Sequence, residues 1–168
     1  MKKTKISCFR YRKYNDIYVS NVSFSSDSLL SILDSLPSDN IIFLIESDVS
    51  YLKTLSYVVK ELLSKEVMFR FSSSCFTMIC NKELLIRFVK LVNIENCDGM
   101  FIANVKNDVI SDKFFNSIIH EATYMVKNLM SDISISINFP ENQMIISLSK
   151  EKYEIMSIKD RINHIFGT

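Results

Sequence analysis

Glycine and proline are scarce in this chain: two of each occur in 168 residues, at Gly99, Gly167, Pro37 and Pro140. A phosphate-cradling loop needs glycines where backbone N–H groups must approach the ligand closely. Neither G-x-G-x-x-G nor G-x-x-x-x-G-K occurs, which argues against the common nucleotide-binding enzymes. Histidine is equally rare, with only His120 and His164, so a multi-histidine metal centre has little to be built from. No G-x-S-x-G elbow is present, and neither Cys75 nor Cys97 has a base beside it in sequence. Long apolar runs are missing as well: none approaches the ~20 residues that span a bilayer. The start, MKKTKISCFRYRK, has a basic beginning, but its apolar run from Ile6 to Phe9 is cut by Arg10. That is too short for a signal-peptide core, and it rules out lipoprotein processing at Cys8 for the same reason. The four cysteines form no C-x-x-C pair and sit in or beside apolar runs, as reduced thiols of a cytoplasmic protein do. The expected location is the cytoplasm.

What the chain has in quantity is apolar side chains. Hydrophobic residues make up 48% and charged residues 23%, enough for a core without disulfides or metals. Net charge is +1, unevenly placed: residues 1–13 hold Lys2, Lys3, Lys5, Arg10, Arg12 and Lys13 and no acid, so the remaining body is net acidic.

Periodicity divides the chain into short elements. TKISCFRYR and DIYVSNVSF (16–24) have strand composition and suggest a hairpin. Residues 25–36 place Leu29, Leu30, Ile32, Leu33 and Leu36 at helical spacing behind Ser and Asp caps, and Pro37 ends the pattern. NIIFLIES (40–47) is a buried-type strand leading into an amphipathic helix over 49–64, with Leu52, Leu55, Val59, Leu62 and Leu63 inward and Tyr57 on the polar side. Residues 67–80 read as strand, turn and strand, 81–92 as a helix, and 99–105 as a strand. A strong helical pattern spans 112–130. ISISINF and QMIISLS flank Pro140-Glu141-Asn142 as a hairpin whose alternation leaves one face less covered by helices, and a helix spans 155–166. The expected architecture is a single α+β domain over residues 1–168, with a mixed or mainly antiparallel sheet packed by several helices.

Three places could carry chemistry or recognition. In SIIHEATYM (117–125), His120-Glu121 opens like a zinc-protease helix, but Tyr124 stands where H-E-x-x-H needs its second histidine. At ~100° per residue the core stripe of that helix is Phe115, Ile118, Ile119, Ala122, Val126 and Leu129, which turns His120, Tyr124 and Lys127 outward. A solvated helix face accounts for them; a protein-binding patch is the functional alternative. Second, if strands 40–47 and 99–105 were parallel neighbours, Glu46, Asp48, Asp108 and Asp112 would meet at one rim. Helix capping explains these acids too; the other accounts are an acidic dock for a basic partner, or the acid–base groups of a small hydrolase or transferase. Third, the strip KKTKISCFRYRKY interleaves Phe9, Tyr11 and Tyr14 with cations, as an RNA-associated module could, although no RNP-type or G-x-x-G motif supports that. A sheet edge protected by its charges is the simpler account.

With no catalytic motif, elimination favours a binding protein over an enzyme. A single α+β domain, cytosolic and rich in Ile, Asn, Lys and Ser, resembles in organisation the bacterial immunity proteins of contact-dependent growth inhibition and related toxin systems. That resemblance implies tight one-to-one binding to a cognate toxin domain, blocking its active site or its substrate dock; the residues themselves suggest no cofactor, metal or membrane partner, identify no small-molecule ligand and give little support to nucleic acid. Recognition would then use the Glu46, Asp48, Asp108 and Asp112 rim or the His120, Tyr124 and Lys127 face.

Overall fold

A computed structural model describes residues 4–11, 14–34, 40–62, 67–71, 74–104, 133–149 and 155–166. The elements in chain order are β1 (Lys5–Tyr11), β2 (Tyr14–Ser20), α1 (Ser26–Asp34), β3 (Ile41–Glu46), α2 (Val49–Leu62), β4 (Met68–Phe71), β5 (Cys75–Cys80), α3 (Lys82–Leu91), a 3₁₀ turn (Ile94–Asn96), β6 (Gly99–Asn104), β7 (Ile133–Asn138), β8 (Gln143–Ser149) and α4 (Ile155–Phe166). The strands form one sheet in the order β1-β2-β8-β7-β6-β3-β5-β4. Every neighbouring pair is antiparallel, giving an α+β fold. The strong helical pattern at 112–130, and with it Asp108, Asp112, His120, Tyr124 and Lys127, lies outside the described residues.

Local chemistry explains where most elements begin and end. Ser25 opens α1: its hydroxyl accepts from the Ser28 amide at 3.1 Å while the Ser28 hydroxyl accepts from the Ser25 amide at 2.9 Å, a reciprocal cap built from two serines. Asn81 caps α3 by accepting from the Leu84 amide at 2.9 Å. Strand β2 stops at Asn21, whose φ of 57° is a left-handed conformation that asparagine tolerates and a strand cannot use. The β7–β8 turn uses the same device at Asn142, φ 52°, while the Asn138 side chain accepts from the Glu141 amide. The turn therefore falls where Pro140-Glu141-Asn142 implied.

The main core lies on one face of the sheet. Along β7 and β8 the inward residues are Ile133, Ile135, Ile137, Met144, Ile146 and Leu148, in register with Ile102 and Met100 of β6 and, one strand further, Phe43 and Ile45 of β3. The same cluster takes Leu29, Ile32 and Leu33 from α1, Leu52, Leu55 and Val59 from α2, Leu85, Phe88 and Val89 from α3, and Ile162 from α4. Aromatic rings knit this face together: Phe88 of α3 stacks on Phe76 of β5 and meets Phe43 of β3 edge-on, both at 5.7 Å between ring centres. The alternate residues of the central strands, Ile42, Leu44, Ile79, Phe101 and Ala103, are buried too, which is why β3, β5 and β6 read as continuous apolar runs rather than alternating ones. On the outer face of the final hairpin the expected opening is only partial: Asn138 is exposed, but Ser134 and Ser147, facing each other across β7 and β8, are buried.

Candidate functional site, the rim at the end of β3

The supposed four-acid rim required β3 and β6 to be parallel. They are neighbours, but antiparallel: Glu46 pairs with Gly99 and Ile41 with Asn104. The chain therefore leaves β6 at the end of the sheet opposite Glu46. What antiparallel pairing brings to Glu46 is the beginning of β6, and with it Asp98. Of the four expected rim acids, Glu46 and Asp48 are described and lie two residues apart, with Asp98, an acid not expected from the sequence, beside Glu46, while Asp108 and Asp112 lie outside the described residues. The Asp98-Gly99 pair just before a strand was a usable signal, had strand direction been known.

The backbone of this rim is tied laterally. The Asp98 amide donates to the Glu46 carbonyl at 2.9 Å, and the Phe139 amide to the Asp98 carbonyl at 3.2 Å, so the ends of β3, β6 and β7 form one hydrogen-bonded edge. Ser47, itself buried, donates its hydroxyl to the Asn96 carbonyl at 2.7 Å, and its amide reaches the Ser74 carbonyl at 3.4 Å. Gly99 gives this rim room: a Cβ there would lie 3.1 Å from Oε2 of Glu46, a tight contact that the exposed carboxylate would relieve by shifting a few tenths of an ångström. The glycine lets that carboxylate lie against the neighbouring strand.

Asp48 has a structural task as well as a charge. Its Oδ1 accepts from the Ser50 amide at 2.9 Å and the Tyr51 amide at 3.1 Å, which is N-capping of α2. Asp48→Ala is expected to lower stability by about 1 kcal/mol, whereas Asp48→Ser, which keeps a capping oxygen, should stay within about 0.5 kcal/mol of the parent. Urea unfolding of the two variants measures the difference, and equal losses would contradict the cap.

Next to Asp98 in sequence lies the buried Cys97, which interacts with the half-buried phenol of Tyr51. Tyr51 of α2 donates its hydroxyl to the Asn93 carbonyl in the loop after α3, clamping the start of one helix to the end of the other. Burial pushes the Tyr51 phenol well above its usual range, with Cys97 adding to the effect. Burial also pushes the Cys97 thiol up to about 11, against a lowering hydrogen bond from Tyr51, with Asp98 raising it further. Cys75, opposite Glu46 in β5, is raised by burial, and Cys80 at the far end of β5 is pushed up to about 12 by burial alone. These thiols are poor nucleophiles at neutral pH, because the thiolate is the reactive form. All four cysteines are free, and only Cys8 is exposed. A disulfide reagent at pH 8 should therefore modify Cys8 rapidly and the other three only as fast as the protein opens; four equal rates would contradict this burial. The folded state holds the Cys80 and Cys97 protons more tightly than the unfolded chain does. Stability from these groups is thus fully present below pH 9 and declines as pH rises towards 11 and 12. The urea midpoint should fall over that range, and fall less in Cys80→Ala.

Two apolar side chains stand in the open beside the clamp. Val49 is 44% exposed two residues before Tyr51, and Leu91 is 53% exposed two residues before Asn93. Leu91 lies off the Leu85, Phe88 and Val89 stripe, so its exposure follows from helical phase. Tyr57, 64% exposed, continues the outward line of Val49 and exposed Lys53 along α2, as its position in the pattern implied. Glu46, Asp48, Asp98, Asn93 and Asn96 are all exposed. The rim offers exposed carboxylates on a backbone held by hydrogen bonds, with Val49 exposed on α2 next to Asp48 and Leu91 exposed on α3. Its chemistry is that of recognition: it can accept hydrogen bonds from cations and bury a short apolar contact.

Among the described residues no three His, Cys, Asp or Glu side chains gather as a metal site, and no helix is long and apolar enough to cross a membrane. Residues 5–11 of the basic N-terminal strip form β1, the terminal strand of the sheet among the described residues. Comparisons with protein-family models, with curated proteins and with solved structures found no match.

Proposed function

We propose that this protein is a binding protein that docks a basic partner on the rim formed by Glu46, Asp48 and Asp98, with Val49 and Leu91 as its apolar contacts. In the biological role we infer, the partner is a cognate bacterial toxin domain and the protein is its immunity factor, neutralising it one-to-one in the cytoplasm. The observation that carries the reading is the antiparallel β3–β6 pairing, which brings the exposed Asp98 beside the exposed Glu46, two residues before the exposed Asp48, on a hydrogen-bonded edge. Such a surface needs little ordering when a partner arrives, and that lowers the entropic cost of association. Free thiols, three of them buried, suit a reducing compartment.

The test begins with the gene next to this one. If it encodes a toxin, the co-expressed proteins should elute as a one-to-one complex, and cells carrying both should grow where cells with the toxin alone do not. A toxin that kills equally in the presence of this protein would end the immunity reading. A complex that survives neutralisation of Glu46, Asp48 and Asp98 together would remove the rim while leaving the role.

A further inference from the structure

The two edges of the sheet are unlike. At one end β4 has four residues, and Arg70 turns its guanidinium back onto the Phe69 carbonyl at 3.1 Å. At the other end β1 has seven, each in register with β2 from Lys5 opposite Ser20 to Tyr11 opposite Tyr14. Among the described residues no strand pairs with its outer side, and Lys5, Ser7 and Cys8 are exposed. In an antiparallel pair, alternate residues turn both N–H and C=O away from the neighbour, so an edge of this length carries a row of unused donors and acceptors. Its span is about 23 Å, at 3.3 Å per residue.

We propose that the outer edge of β1 accepts an extended, acidic segment of a partner protein as a ninth strand. Backbone hydrogen bonds would supply the pairing, and charge would choose the occupant. The strand and its flanks hold Lys2, Lys3, Lys5, Arg10, Arg12 and Lys13 without one acid, the densest charge of a single sign in the chain. Opposite charges across strands stabilise and like charges directly opposite destabilise, so the strip rewards Glu or Asp on the incoming strand. The same physics disfavours a second copy of this chain, because symmetric pairing of β1 with β1 would bring together two strands that each hold Lys5 and Arg10 and no acid. The inference is independent of the rim and of the toxin reading, since it uses the terminal strand β1 rather than the central strands β3 and β6 and needs no knowledge of the natural partner.

The probe is a blocked peptide, Glu-Val-Glu-Thr-Glu-Val-Glu, titrated into the ¹⁵N-labelled full chain, with its Lys-for-Glu counterpart as control. Expected are shifts and slowed hydrogen exchange confined to Lys5–Tyr11 and the facing β2, several-fold weaker binding between 50 and about 300 mM salt, and no response to the lysine peptide. Of two successive residues in β1 one turns its N–H to β2 and the other away. One of Ser7→Pro and Cys8→Pro should therefore keep a native spectrum and lose peptide binding at least about tenfold. Lys5→Glu with Arg10→Glu should do the same without touching the backbone. Binding undiminished in both the spectrum-preserving proline variant and the charge variant overturns the proposal. So does equal binding of the lysine peptide, or a concentration-dependent dimer that cross-links through Cys8, which would make the occupant a second copy.

Discussion

Phe88→Ala should lower the unfolding free energy by about 3–5 kcal/mol, the largest stability loss expected from one substitution here. For a chain of this length that corresponds to a melting temperature lower by roughly 10 °C. Phe88 has no exposed surface, and its ring stacks on Phe76 while meeting Phe43 edge-on. Phe69 of β4 extends the ladder by stacking on Phe76 at 6.1 Å, so four rings connect α3 with β3, β5 and β4. Removing the ring forfeits its transfer free energy and opens a cavity that neighbours in three strands cannot close, because their positions are held by sheet hydrogen bonds. Phe88→Leu should cost about half as much, and Arg87→Ala, at the exposed neighbouring position, under about 0.5 kcal/mol. Urea unfolding with thermal melts provides the comparison. A Phe88→Ala loss below about 1 kcal/mol would mean that the stack does not join α3 to the sheet as described.

Glu46→Lys combined with Asp98→Lys should weaken partner binding about 100-fold while leaving stability within about 1 kcal/mol. The binding effect is large because each reversal both removes an attraction and introduces a repulsion at the centre of the proposed dock. The stability effect is small because both side chains are exposed. Most of the binding loss should appear first as slower association that added salt makes more nearly equal between parent and variant, since exposed charges are screened over about 8 Å at physiological ionic strength. Asp48→Ser adds a separate control, because it removes a third charge but preserves a cap on α2. Surface plasmon resonance against the purified toxin domain, at two salt concentrations, measures both quantities. An affinity change under threefold in the double reversal would place the interface elsewhere on the molecule.

Element identity was largely legible because burial imposes periodicity. The apolar run of 40–47 became β3, with Ile41 to Ile45 all buried, since a central strand covered on both faces has no polar alternate. The helix expected at 49–64 is described from Val49 to Leu62, and the last helix, 155–166, matches at both ends. The strip 16–24 was read too far: β2 starts at Tyr14 and ends at Ser20, because Asn21 adopts a positive φ that residue type alone permits but does not announce.

The candidate site was less legible, for a physical reason. Where both faces are buried, an apolar strand has the same composition whichever way it runs, so β3 and β6 carry no mark of relative direction. Parallel pairing pointed to Asp108 and Asp112, which lie outside the described residues, whereas the antiparallel pairing brings Asp98 beside Glu46. Asp48 was legible both as a cap and as a rim acid, since capping is a local interaction read from adjacent residues. Leu91 and Val49 could be placed off the core stripes by helical phase, but the Tyr51–Asn93 bond, which ties α2 to the loop after α3, joins residues far apart in sequence and has no local signal.

The sequence by itself determined that this chain builds strands and amphipathic helices around an apolar core, where its hairpin turn lies, and that its basic charge is gathered at the N-terminal strip. These are consequences of side-chain period, turn chemistry and composition, all local along the chain. Only the tertiary structure decided that residues 5–11 of the basic strip form a terminal strand, that Glu46 faces the start of β6, and that Tyr51 ties α2 to the loop after α3. Those facts depend on hydrogen-bond register between distant segments, and register is selected by the packing of the whole sheet rather than by any residue in it.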